Sequence, residues 1–145
     1  MKVAHLKTKL AAVLLLAGLL GASAVAQNQP KPEQVAQQSS DAFLVLVDAG
    51  KYADSWDVTA QAFKSTVTKE QWQGMLTASL GPLGKVTSRK LKSATYTKTL
   101  PGAPDGEYVV IQYDSSFEHR PTAVETVVPM LDKDGKWRVS GYFIK

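Results

Sequence analysis

The hydrophobic period changes once along this chain, after Gly84, and it does not change back. Before that point apolar residues recur at helical spacing. Val35, Ala36, Ser39, Ala42, Phe43, Leu46 and Val47 form one face of a first helix, with Pro32 suited to its first turn and Glu33 favourable near its N-terminus. Gly50 ends it, because glycine enters the left-handed region without a Cβ penalty. Tyr52, Trp56, Ala60 and Phe63 lie on one face of a second helix. Thr68 to Gln71 has capping-box form, and Trp72, Met75, Leu76, Ser79 and Leu80 continue as a third helical face that Gly81-Pro82 stops.

After Gly84 the pattern is that of strands. Val86 to Leu100 is rich in threonine and basic residues, and Pro101 to Gly106 is a turn cluster. In Glu107 to Phe117, Val109, Ile111, Tyr113 and Phe117 point one way, and Gln112 and Asp114 the other. Ala123 to Leu131 is a third strand, Asp132 to Gly135 a hairpin turn, and Lys136 to Ile144 a fourth strand. Leu46 to Trp56 looks like one corner of a helical-repeat array, but no second copy occurs and a solenoid does not finish in strands. Segregated helices and strands predict an α+β fold: three N-terminal helices packed on a curved four-stranded antiparallel meander, a cystatin-like roll.

Residues 1–26 read as a secretory signal peptide. Lys2, His5, Lys7 and Lys9 give a basic start, Leu10 to Leu20 an apolar centre, and Ala24-Val25-Ala26 a small-residue exit. The apolar run falls short of the roughly 20 residues a membrane span needs. The expectation is therefore an exported chain, periplasmic or secreted, with no transmembrane anchor after cleavage. Cleavage takes 26 of the 145 residues and leaves 119: a flexible leader at 27–31 and one domain at 32–145. It also takes three of the 17 basic residues and no acid, so the net charge falls from +4 to +1. The basic balance belongs mainly to the leader and is poor support for a nucleic-acid partner. The chain has no cysteine, which excludes thiol catalysis, thiolate metal sites and a disulfide framework.

LVDAGKYADSW, VTKEQW, PLGKVTSRKL, LPGAPDGEYVVIQYDSSF, AVET and PMLDKDGKWRVSGY together resemble the bacterial family called domain of unknown function 4019, from about Ala42 to Lys145. That resemblance implies an exported domain and brings no catalytic residues with it. The order of helices and strands also resembles the broader nuclear-transport-factor-2-like rolls, which include isomerases, dehydratases, scaffold domains and ligand carriers. Fold kinship of that breadth does not define an activity.

The candidate chemistry is sparse. His119, the single histidine after the leader, falls at a hairpin tip beside Glu118 and Arg120, where a surface role is expected. With no second histidine, no metal site and no cofactor are expected. Asp114 and Glu125 are the strand carboxylates. Asp114 is expected to face solvent or a partner. Glu125, expected to pair near Phe143, falls on the face of Trp137, Val139 and Phe143, either as a base of raised pKa or paired with a Lys or Arg near the sheet end. Trp56, Trp72, Tyr113 and Tyr142 are candidates for an apolar pocket with polar tips, or for plain core. Arg89, Lys90, Lys92 and Lys98 form a basic strand, read as lysine-guarded edge or as a site for lipopolysaccharide phosphate, anionic phospholipid or a nucleotide.

Three functional expectations follow. The first is a non-enzymatic module binding a small amphipathic ligand or a protein partner. The second is an isomerase- or dehydratase-like enzyme with Glu125 or Asp114 as base and Tyr113 or Tyr142 as donor. The third is a homodimeric domain that pairs through the open face of its sheet.

Overall fold

The computed structural model describes residues 29–145, so the signal-peptide segment and the start of the leader lie outside the described residues. The fold is α+β. Helices α1 (Pro32–Asp48), α2 (Tyr52–Asp57), α3 (Gln61–Lys64) and α4 (Lys69–Leu80) come first, then a 3₁₀ turn at Gly81–Leu83. Strands β1 (Val86–Thr97), β2 (Tyr108–Phe117), β3 (Arg120–Leu131) and β4 (Trp137–Ile144) follow as one open antiparallel sheet in the order β1-β2-β3-β4.

The helical half corrects the expectation of three helices. The second is broken in two, because Thr59 forms a parallel bridge to Val139 of β4 and the Ala60 N–H donates to the Val139 carbonyl at 2.8 Å. Two residues thus leave helical geometry to serve as strand, a long-range demand that local periodicity cannot express. Two local signals hold. Gly50 turns the chain at φ +71°. Thr68 and Gln71 form the reciprocal capping box, with Gln71 N–H donating to Thr68 Oγ1 at 3.2 Å and Thr68 N–H to Gln71 Oε1 at 2.9 Å.

Helix α1 lies on one face of the sheet and buries Ala36, Ser40, Phe43, Leu44 and Val47 against Val109, Ile111, Val127 and Val139. Burial of that apolar area is the main stabilising term, at about 25 cal/mol per Å². Helix α4 joins this core through Trp72, whose ring lies 6.3 Å from Phe43 and 5.1 Å from Phe63. Trp72 Nε1–H donates to the buried Ser55 Oγ at 2.9 Å, so α2 and α4 are locked by a polar contact inside an apolar layer.

Two bulges in β1 and one in the β3–β4 pairing set which side chains look inward. The β1–β2 register slips between Val86 and Ser88 and again between Leu91 and Ser93, so the strand's parity changes along its length. In β3, Pro129 has no N–H for the ladder, and the β3–β4 register slips between Val128 and Pro129. The hairpin itself closes as expected, with Leu131 opposite Trp137 and Gly135 at φ +79°. Past the bulge Glu125 meets Ile144 rather than Phe143, and Phe143 turns outward to 59 % exposure.

Replacing Ser55 with alanine leaves the Trp72 indole N–H buried without a partner. A loss of about 1–3 kcal/mol in urea unfolding is expected, with the larger change in tryptophan fluorescence than in sheet circular dichroism.

Candidate functional site

Arg89 organises the polar interior. Its Nε and Nη2 donate to Glu125 Oε2 and Oε1, each at 3.0 Å. Its Nη1 and Nη2 donate to Asp48 Oδ2 and Oδ1 at 2.6 and 2.9 Å. One guanidinium therefore forks onto two carboxylates, from the end of α1 and from the middle of the sheet. Glu125 is fully buried, and both of its oxygens are held. The side chain of Arg89 is 16 % exposed, so it leaves the basic surface strand to which the clustering of basic residues assigned it. The two carboxylates hold its pKa above the ordinary arginine value, against the opposing effect of burial. Arg89 has the opposite parity to exposed Lys90 and faces the helices, and the bulge at Lys92 then shifts the parity so that Ala94 and Tyr96 after it face them too.

The remaining basic residues behave differently. Lys90 and Lys92 are exposed, with Lys92 Nζ 3.6 Å from Asp114 Oδ1, and Lys98 lies past the end of β1. Asp114 is exposed on the sheet face away from α1. His119 is exposed in the β2–β3 hairpin, where its N–H donates to the Leu83 carbonyl.

The aromatic candidates separate. Trp56 Nε1–H donates to the Val67 carbonyl at 2.8 Å, and the ammonium groups of Lys64 and Lys69 sit 5.2 and 5.3 Å from its ring centre. Tyr113 is buried, its hydroxyl 3.0 Å from Ser40 Oγ and 3.1 Å from Asp41 Oδ1. Burial, with the negative charge of Asp41, pushes its pKa up to about 12 even though Ser40 opposes the shift. Tyr142 packs edge-on against Phe43 with ring centres 5.6 Å apart. Its hydroxyl is buried with no hydrogen-bond partner among the described residues. Burial first, and then the charge of Glu125, push its pKa well above the ordinary phenol value.

Of these four rings, Trp72 and Tyr142 share a cleft of about 650 Å³ between α4 and the C-terminal end of β4. Met75, Leu76, Ser79 and Leu80 form its helical wall, and Tyr142, Phe143, Ile144 and Lys145 its strand wall. Leu83, Gln112, Thr126 and Arg120 complete it. Periodicity placed Met75 and Ser79 on the apolar face of α4, yet both are exposed, because they project into this cleft rather than into the core. That signal was present in the sequence: five residues for a face that needed only Trp72, Leu76 and Leu80. Arg120 and Lys145 were not singled out by sequence, since neither belongs to a cluster until the sheet folds. A smaller cleft of about 230 Å³ lies on the other side of Tyr142, lined by Val47, Asp48, Tyr52 and Glu118 among others. Among the described residues no group of three or more potential metal ligands occurs, and no helix is long and apolar enough to cross a membrane.

An α+β domain of four helices on an open antiparallel meander is thus the class that fold and site define. The family described as "Protein of unknown function (DUF4019)" matches residues 39–142, and the chain belongs to that family. No match to the chain was found among curated proteins or among solved structures.

Two predictions follow from the buried polar groups. Arg89→Met strands the Glu125 carboxylate in the core and is expected to cost about 3–5 kcal/mol, while the double variant R89M/E125L regains most of that loss in chemical denaturation. Tyr113 is held protonated, so its contribution to stability is complete below the unfolded phenol value near pH 10 and is lost as pH rises through about 12. A pH series of urea midpoints should show that loss, and Tyr113→Phe should flatten it.

Proposed function

We propose that this chain is an exported, non-enzymatic binding module, and that the cleft between α4 and β4 is its recognition site. The observation that carries the reading is the cleft's composition: an apolar floor from Trp72, Leu76 and Leu80, exposed Met75 and Phe143, and two cationic side chains, Arg120 and Lys145. Its volume of about 650 Å³ falls within the range of roughly 300–1,000 Å³ typical of ligand sites. Export is supported by the basic start, apolar centre and small-residue exit of residues 1–26. Helices followed by a meander support kinship with the nuclear-transport-factor-2-like rolls, many of which enclose a ligand.

The isomerase- or dehydratase-like alternative draws less support. Glu125 has both oxygens committed to Arg89, and Asp114 is an exposed partner of Lys92. A base needs a free oxygen within reach of a substrate proton.

Native mass spectrometry of protein recovered from its own host, with thermal shifts against amphipathic metabolites, lipids and peptides, tests the reading. A retained mass or a rise of several degrees in Tm is expected. Ser79→Trp, at an exposed position on the cleft wall, should abolish the shift while leaving the variant's own Tm within about 2 °C of the parent, as befits a surface change. A bare monomer that no compound stabilises contradicts the reading.

A further inference from the structure

We propose that the cleft takes an extended peptide with an acidic residue, added as a fifth strand to the free half of β4's edge. This rests on the cleft being the recognition site and names what enters it.

The backbone supplies the first reason. Lys145 and Val124 exchange two hydrogen bonds, N–H to carbonyl in both directions, at 3.0 and 2.8 Å. In an antiparallel ladder such pairs alternate with pairs that do not bond each other. Phe143 therefore bonds to Thr126, while Ile144 opposite Glu125 and Tyr142 opposite Val127 turn their N–H and carbonyl groups away from β3. Those groups look out from the sheet's edge, and the residues that carry them wall the cleft. An exposed row of strand donors and acceptors is a template for another strand.

The fold already uses the neighbouring part of this edge. Thr59 and Ala60 add a short parallel strand at Val139, with the Ala60 N–H on the Val139 carbonyl. An incoming segment continues that arrangement from Gly141 to Lys145. It lies between an edge strand and a helix that lines the cleft with Trp72, Met75, Leu76 and Ser79, a setting open to an extended peptide. The five residues of this edge span about 13 Å, enough for a short strand.

Charge selects the partner. Among the side chains lining the cleft two are cationic, Arg120 and Lys145, and none is acidic. Neither cation forms an ion pair among the described residues, and both are exposed. A glutamate or terminal carboxylate at one end of the peptide meets them.

The test is a titration of ¹⁵N-labelled protein with an acetylated heptapeptide of alternating threonine and valine ending in glutamate, beside a version ending in amidated lysine. At saturation, the amide protons of Tyr142 and Ile144 should exchange at least tenfold more slowly. Methylating the peptide's amides on one alternate set should weaken binding tenfold or more, and on the other set should have little effect. Arg120→Glu should remove the preference for glutamate over lysine. Ile144→Pro deletes an outward N–H without breaking a bond to β3, and should lose binding tenfold. The peptide methylation carries the same test if that variant misfolds. If dodecanoate shifts the amides of Met75 and Ser79 while no peptide protects Tyr142 or Ile144, the cleft reading stands and strand addition falls. If neither probe perturbs the cleft, both fall. Protection that grows with protein concentration in the absence of peptide means self-pairing of β4, and overturns the proposal.

Discussion

One guanidinium ties the end of α1 to two strands of the sheet. Arg89 comes from an edge strand, Glu125 from an inner strand and Asp48 from the last residue of α1. The position of Asp48 is unfavourable by itself, since the C-terminus of a helix already carries partial negative charge. Arg89 offsets that charge and satisfies Glu125 at the same time. Each carboxylate without the arginine is a liability, and together they fix where α1 ends on the sheet. The apolar contacts of Phe43 and Val47 with Val127 and Val139 supply most of the burial but little angular definition. The forked hydrogen bonds supply direction.

That placement decides what happens at the far side of the sheet. Helix α4 is anchored to the other helices, through Trp72 to Phe43 of α1 and Ser55 of α2. It forms one wall of the cleft beside the β4 edge. Thr59 and Ala60 take the first stretch of that edge, and the cleft opens beside the rest. The cleft thus follows from two commitments made elsewhere: the break between α2 and α3, and the short reach of α4's core face. Tyr142, packed on Phe43 with its hydroxyl buried and without a partner among the described residues, marks the boundary between core and cleft.

The sequence made much of the architecture legible, and for a consistent reason. Gly50, the Thr68–Gln71 box and the turn at Gly135 are signals whose physics is complete within four residues, and each stands where it was read. The alternation of β2 placed Ile111 and Tyr113 inward because that strand is regular over this stretch. Arg89 was grouped with the lysines because the run SRKLKSA was read by its charge, whereas its parity is opposite to that of Lys90; the bulge at Lys92, which nothing in the run marks, brings Ala94 and Tyr96 inward. Phe143 was misplaced because β4 carries an extra residue, Ser140, opposite the step from Val128 to Pro129, which reverses the parity of β4 from there on. The ion pair of Glu125 was foreseen in kind, as a Lys or Arg partner, but not in identity.

What the chain's order of residues determined alone is the order of its elements, their class and most of their ends, because periodicity, caps and turns depend on neighbours a few positions apart. It also determined the absence of thiol chemistry, since no cysteine occurs. Only the tertiary structure decided which charged residue turned inward, where the second helix broke, and which apolar side chains of α4 were left to line a cleft. Those outcomes depend on groups 36 to 80 positions apart, Arg89 with Glu125 and Thr59 with Val139 among them, and such pairs acquire energy only when the sheet brings them within bonding distance.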